Sequence, residues 1–196
     1  MSSESRRNWF SFRLRTLLLV VLVTGGSAGL GLSIASAFHH RGANVVLVGR
    51  DQSRLDAAFD SFGPSPQRVS TISADITKNA QVESMMQRTI ETCHGLHVLV
   101  NCVGQSARSR LQQTGPDEFQ QLWEINFLTA VRCTRAALPQ LLQSRGHIVN
   151  IGSVAGSYPY PGGNVYGGTK AFVHQFSLNL RADLLGTQIR VSCVEP

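Results

Sequence analysis

Leu17-Leu18-Leu19-Val20-Val21-Leu22-Val23-Thr24-Gly25-Gly26-Ser27-Ala28-Gly29-Leu30-Gly31 joins two kinds of chemistry without a break. The continuous β-rich apolar run from Leu17 to Val23 predicts a strand buried on both faces, and it is too short to span a bilayer. The turn that follows is glycine-rich, and helical periodicity resumes at Leu30. Gly25, Gly29 and Gly31 permit a tight turn and close approach of the backbone to a ligand. A helix N-terminus then presents free N–H groups and the positive end of its dipole, an arrangement suited to a diphosphate. Gly25, Ser27, Ala28, Gly29, Leu30 and Gly31 are the candidates for holding it.

Outward from this stretch, strands and helices alternate. A helix from Leu30 to His40 stops at Gly42, and Asn44 to Val48 reads as a second buried strand. Ser53 to Ser61 is helical and ends in the breaker Gly63-Pro64-Ser65-Pro66. Val69 to Ala74 is a third strand. Ala80 to Cys93 is an amphipathic helix with Thr77 or Asn79 as cap and Gly95 as stop. His97 to Val100 is a fourth strand, followed by a polar loop from Gln105 to Gly115. Pro116 opens one long helix reaching about Ser144, with Pro139 bending its last turns. His147 to Ile151 is a fifth strand, a loop runs from Gly152 to Gly163, a helix spans about Val165 to Leu185, and Arg190 to Val194 is a sixth strand. The alternation predicts an α/β fold: a Rossmann-type, doubly wound parallel sheet with ligands beyond the carboxyl ends of its strands.

Composition narrows the function classes. A chain of 196 residues with 42% hydrophobic and 15% charged residues forms one globular domain. Of the net charge of +6, Arg6, Arg7, Arg13 and Arg15 against Glu4 place +3 in the first 16 residues. The rest lacks the basic stripe interleaved with aromatics that a nucleic-acid binder shows. Met1 to Thr16 reads as a basic, disordered extension, with a targeting segment or, over Arg6 to Val23, an interfacial membrane anchor as alternatives, and 17–196 as the domain. Cys93, Cys102, Cys133 and Cys193 form no CxxC pair and read as reduced, mostly buried thiols of a cytoplasmic protein. The six histidines show no metal-ligand spacing, so no metal is expected; His39, His40 and His94 read as exposed helix-end residues.

Two further places carry chemistry. After strand two, Gly49-Arg50 stands where an acidic residue would hold the ribose hydroxyls of NAD. Glycine leaves room and the guanidinium can grip a 2′-phosphate, which favours NADP(H) over NAD(H), with Asp51 one step further on. Tyr166 and Lys170 are four residues apart, so on a helix they share a face. A cation beside a phenol favours the phenolate and suits the pair to proton transfer near neutral pH.

Thr24-Gly-x-x-x-Gly29-x-Gly31, Asp75, Asn101, Asn126, Ser153 and Tyr166-x-x-x-Lys170 together resemble the short-chain dehydrogenase/reductase family, classical type, over residues 17 to 196. The thirteen-residue gap from Ser153 to Tyr166 is part of the match. The resemblance implies that Tyr166 is the general acid in reduction, that Lys170 tunes it and binds the nicotinamide ribose, and that Ser153 positions the substrate oxygen. It implies that Asn126 holds a water linking Lys170 to solvent, that Asp75 and Ile76 meet the adenine, and that Asn101 and Gly104 belong to the cofactor site. Ser153 and Tyr166 would contact a small carbonyl or alcohol substrate. The stretch His147 to Pro196 is further similar to bacterial NADP-dependent 3-hydroxy acid (serine-type) dehydrogenases, so a short 3-hydroxy acid or 3-oxoacyl compound is the implied substrate. In this family the helices from Pro116 and Val165 pair between subunits, which implies a homodimer or homotetramer.

Three features depart from the family pattern. Cys102 replaces a second Asn that ties strands together, and Gly167-Gly168 sit inside a helix at a cost of up to ~1 kcal/mol each relative to Ala. The chain also stops at Pro196, where family members continue into a substrate lid and a seventh strand. On that reading it is truncated after the sixth strand, and a non-catalytic NADP-binding fragment or pseudoenzyme is the alternative function.

Overall fold

The computed structural model describes residues 19–63 and 67–196. The expectations for Met1 to Thr16, the first two residues of the apolar run and Pro64 to Pro66 lie outside them. The six strands are β1 (Val20–Thr24), β2 (Asn44–Gly49), β3 (Val69–Ser73), β4 (Val98–Asn101), β5 (His147–Ile151) and β6 (Arg190–Val194). They form one sheet in the order β3-β2-β1-β4-β5-β6, parallel throughout. The helices between them are α1 (Gly29–His40), α2 (Gln52–Asp60), α3 (Asn79–Cys93), α4 (Pro116–Trp123), α5 (Thr129–Ser144) and α6 (Asn164–Asp183).

The pleat divides each apolar strand between two cores. Leu22, Val46, Val48, Leu99 and Ile148 face one side, where Val82 and Met85 of α3 and Cys133, Ala137 and Leu141 of α5 pack on them. Val21, Val23, Val45, Leu47, Val98 and Val100 face the other, against Ala35 of α1 and Leu55 and Ala58 of α2. Every residue of β1 is buried. Fully burying each such side chain contributes about 1.5–3 kcal/mol, and a strand needed by both cores leaves its register no freedom.

Several sequence expectations are refined. Pro116 to Ser144 is helical throughout, but Glu124–Leu128 is a π-helical segment between α4 and α5. The N-cap of α3 is Lys78, without a side-chain cap, because Thr77 spends its hydroxyl on Asp75. The helix closes at His94 in the left-handed conformation before Gly95. α1 ends at Arg41, and Gly42 follows at φ 90°. All four cysteines are free, but only Cys133 is fully buried, its thiol pushed up to about 12 by burial. Among the described residues no helix is long and apolar enough to cross a membrane.

Candidate active site

The turn after β1 works only with glycine. Gly25 and Gly29 have φ of 69° and 52°, and a Cβ on Gly31 would lie 2.2 Å from the Gly25 carbonyl oxygen. Helix α1 begins at Gly29 with Ala28 as N-cap and no side chain capping its first N–H groups. Those donors stay available to an anion. A cavity of about 680 Å³ opens over the turn, lined by Gly25, Ser27 to Gly31, Gly49 to Asp51, Ala74 to Thr77 and Cys102 to Gln105. It lies across β1 and β4, where the strand order reverses and a dinucleotide binds. The uncapped N–H groups and the glycine cradle fit its diphosphate.

Two arginines stand at the end of the cavity over β2. Arg50 is exposed there, and Arg54 lines the same wall from the first turn of α2. Sequence reasoning missed Arg54, although a cation at a helix N-terminus opposes the dipole and was a legible signal. Asp51 caps α2: its Oδ1 accepts from the Arg54 N–H at 3.1 Å, and Oδ2 lies 3.8 Å from the Arg54 guanidinium. Its carboxylate is thereby committed to the helix. The open side of Gly49 faces Ser27, whose Oγ would be 3.1 Å from a Cβ. That glycine accommodates the phosphate loop, not a ribose substituent. Asp75 accepts from the Thr77 N–H at 3.1 Å and hydroxyl at 2.8 Å. Partial burial works against its carboxylate, but these hydrogen bonds, with Arg50 and Lys78 nearby, hold it below its ordinary value. Ile76 is buried beside it.

Helix α6 carries Tyr166 and Lys170 on one face. The Lys170 ammonium lies 5.9 Å from the centre of the Tyr166 ring and donates to the Ile151 carbonyl at 2.9 Å. It is 6% exposed, and burial lowers its pKa against the opposing pull of Cys102 and Cys193. Ser153 stands two residues past the end of β5; its Oγ accepts from the Ala155 N–H at 3.2 Å, which leaves the hydroxyl hydrogen free to donate. Gly104 faces Lys170, whose Nζ would be 3.4 Å from a Cβ there.

Asn126 sits in the π-helical segment and is buried. Its amide donates to the Gln105 carbonyl at 2.9 Å and to the Thr169 hydroxyl at 3.0 Å, and its oxygen accepts from the Gln105 N–H at 2.7 Å. Both amide hydrogens are therefore used. Asn126 joins the loop after β4 to the turn of α6 between Tyr166 and Lys170, and the oxygen's second lone pair is the only place left for a water.

Asn101 lies apart from the cavity lining. Its amide donates to Thr134 at 3.1 Å and to Asn150 at 2.8 Å, and Asn150 donates to Ser177 at 2.9 Å, a buried chain across β4, β5, α5 and α6. The Oδ1 of Asn101 has no partner. Thr24 supplies a second tie: its hydroxyl donates to the Val100 carbonyl at 3.2 Å and accepts from the Cys102 N–H at 3.0 Å. Strand-tying expected of the residue at Cys102 is thus performed by Asn101 and Thr24. Neither role was legible, because both depend on cross-strand register. Gly167 does allow close packing, since a Cβ would lie 2.7 Å from the Ala155 carbonyl oxygen, whereas Gly168 meets nothing within 4 Å.

A nucleotide cradle at the switch point, with a serine and a tyrosine–lysine pair beside it, defines a dinucleotide-linked oxidoreductase fold and site. The chain belongs to the short-chain dehydrogenase family, whose model matches residues 19–196. It is 43% identical over 180 residues to the NADP-dependent 3-hydroxy acid dehydrogenase YdfG of Salmonella typhi, covering 91% of this chain and 71% of that one. The crystal structure of serine dehydrogenase from Escherichia coli matches with a TM-score of 0.85 at 40% identity, covering 91% of this chain and 82% of that one. The closed form of serine dehydrogenase complexed with NADP+ matches equally well, over 91% of this chain and 71% of that one.

Proposed function

We propose that this chain is an NADP-dependent oxidoreductase that interconverts a short 3-hydroxy acid of the serine type and its 3-oxo counterpart. The observation that carries the reading is the buried Lys170 ammonium beneath Tyr166, next to a cavity whose β2 end is lined by Arg50 and Arg54. NADP, when bound, supplies or accepts the hydride. In the reductive direction Tyr166 donates a proton to the substrate oxygen, and Lys170 stabilises the phenolate left behind. The free hydroxyl hydrogen of Ser153 holds the same oxygen in place. Lys170 also grips the nicotinamide-side ribose. Asn126 fixes Thr169 and so the helical turn between the two catalytic side chains. Arg50 and Arg54 take the 2′-phosphate, while Asp75 and Ile76 border the adenine.

The direct test is NADP+ reduction with serine and 3-hydroxypropionate, alongside NADPH oxidation with 3-oxo acids. Turnover should fall at least ~10³-fold in Tyr166→Phe while NADPH still binds, the scale expected when an acid–base residue and its stabilised charge are lost. Binding of NADPH by the unaltered chain with no turnover of any such substrate would sink the proposal. The reading also places residues 1–16 outside the domain, so deleting them should leave the melting temperature unchanged.

A further inference from the structure

We propose a thiophilic divalent-cation site, suited to Zn²⁺, formed by His174, Cys193 and Glu195. It is separate from the redox reading and does not depend on it. The Nδ1 of His174, Sγ of Cys193 and a carboxylate oxygen of Glu195 all lie within 4.8 Å of one another. The architecture explains why. Cys193 lies in β6 and Glu195 just past it, two residues on, so strand alternation turns both to one side. His174 comes from α6, one turn after Lys170, and its Nδ1 is in hydrogen-bond contact with Glu195. The Cys193 sulfur lies 4.0 Å from the same carboxylate oxygen. Gly152 makes the room: a Cβ there would sit 2.8 Å from that sulfur and 3.1 Å from Cγ of Glu195.

One sulfur, one imidazole nitrogen and one carboxylate form a donor set that Zn²⁺ accepts, with bonds of about 2.0–2.3 Å and a fourth tetrahedral position left for water. Tetrahedral bonds of that length set the donors about 3.3–3.6 Å apart, so the Cys193 sulfur draws in while His174 and Glu195 part from their hydrogen-bond contact. All three residues are partly exposed, so an ion can reach them. Mg²⁺ and Ca²⁺ demand six or more oxygens, which a single carboxylate does not offer. Without metal, the Glu195 oxygen gathers both neighbours, taking the contact from His174 and a long hydrogen bond from the Cys193 thiol, and a metal ion would take the place of those protons among the three donors. Bound metal ties β6 to α6 one turn from Lys170.

Co²⁺ serves as the optical probe, added to the reduced, full chain. One equivalent should produce a thiolate-to-metal charge-transfer band with tetrahedral d–d bands, and Zn²⁺ should abolish both. Cys193→Ser should remove the charge-transfer band, and Cys93→Ser should leave it. His174→Gln should weaken Co²⁺ binding at least tenfold. Absence of the band at saturating Co²⁺, or its survival in Cys193→Ser, overturns the site. If Cys193→Ser loses its far-ultraviolet circular dichroism, His174→Gln decides: unchanged Co²⁺ affinity there overturns the site too.

Discussion

The proposed proton transfer turns on one atom, the Nζ of Lys170. Its ammonium is buried beside Tyr166 with the Ile151 carbonyl as its hydrogen-bond acceptor. Burial, the main cause, sets its folded pKa below the ordinary value of 10.5. Between those two values the unfolded chain binds more protons than the folded one, so stability rises with pH across that window. Lys170→Met should abolish that rise, as measured by urea denaturation at several alkaline pH values, and should also cut turnover. The neighbouring glycines separate two effects that the sequence left merged. Gly168→Ala enters open space in a helix and should stabilise by up to ~1 kcal/mol. Gly167→Ala drives a methyl onto the Ala155 carbonyl and should destabilise by about 1–3 kcal/mol. It should lower kcat as well, because Tyr166 is adjacent and misplacement of a catalytic group is costly. Thermal melts and steady-state kinetics on the two variants check the contrast.

At the scale of elements, the π-helical segment Glu124–Leu128 matters most. A single wide turn inside a long helix often marks a functional position, and here it contains Asn126 and its bonds to Gln105 and Thr169. The Arg132–Glu124 ion pair spans the segment. Asn126→Leu leaves the Gln105 amide and carbonyl and the Thr169 hydroxyl without this partner, a loss of about 1–3 kcal/mol for each group that stays buried. Turnover should fall more than NADPH affinity, because Asn126 bonds the α6 turn between Tyr166 and Lys170 and makes no bond to the glycine turn itself; comparing kcat with the cofactor dissociation constant tests this. Asn126, Ser153, Tyr166 and Lys170 were expected because the resemblance assigns each motif a place. Their partners Thr169, Gln105 and Thr24 were not, since a threonine or glutamine carries no pattern that reveals what it faces.

For the whole molecule, the α4 to π-segment face and α6 meet in an aromatic cluster. Trp123 and Phe172 stack edge-on at 4.5 Å, and Phe127 lies 5.4 Å from Phe172 and 5.9 Å from Phe176. Phe172 is 51% exposed and Phe119 53% exposed. The subunit pairing expected from the sequence, through the helices from Pro116 and Val165, would use this exposed apolar surface. Phe172→Glu should shift the protein to monomer in light-scattering chromatography; an unchanged mass for both forms would count against this surface.

The sequence by itself determined the alternation of apolar strand and helix, repeated until a parallel doubly wound sheet was the consistent outcome. It also named the diphosphate loop and the Tyr166–Lys170 pair, because periodicity and fixed spacing are local properties that one dimension records. Only the tertiary structure decided that Asp51 caps α2 and that Asn101 belongs to the sheet's internal ties. It alone brought His174 to Cys193 and Glu195. Each of these depends on which face a side chain takes once strands register and helices dock, and that is set by the packing of both cores over β1.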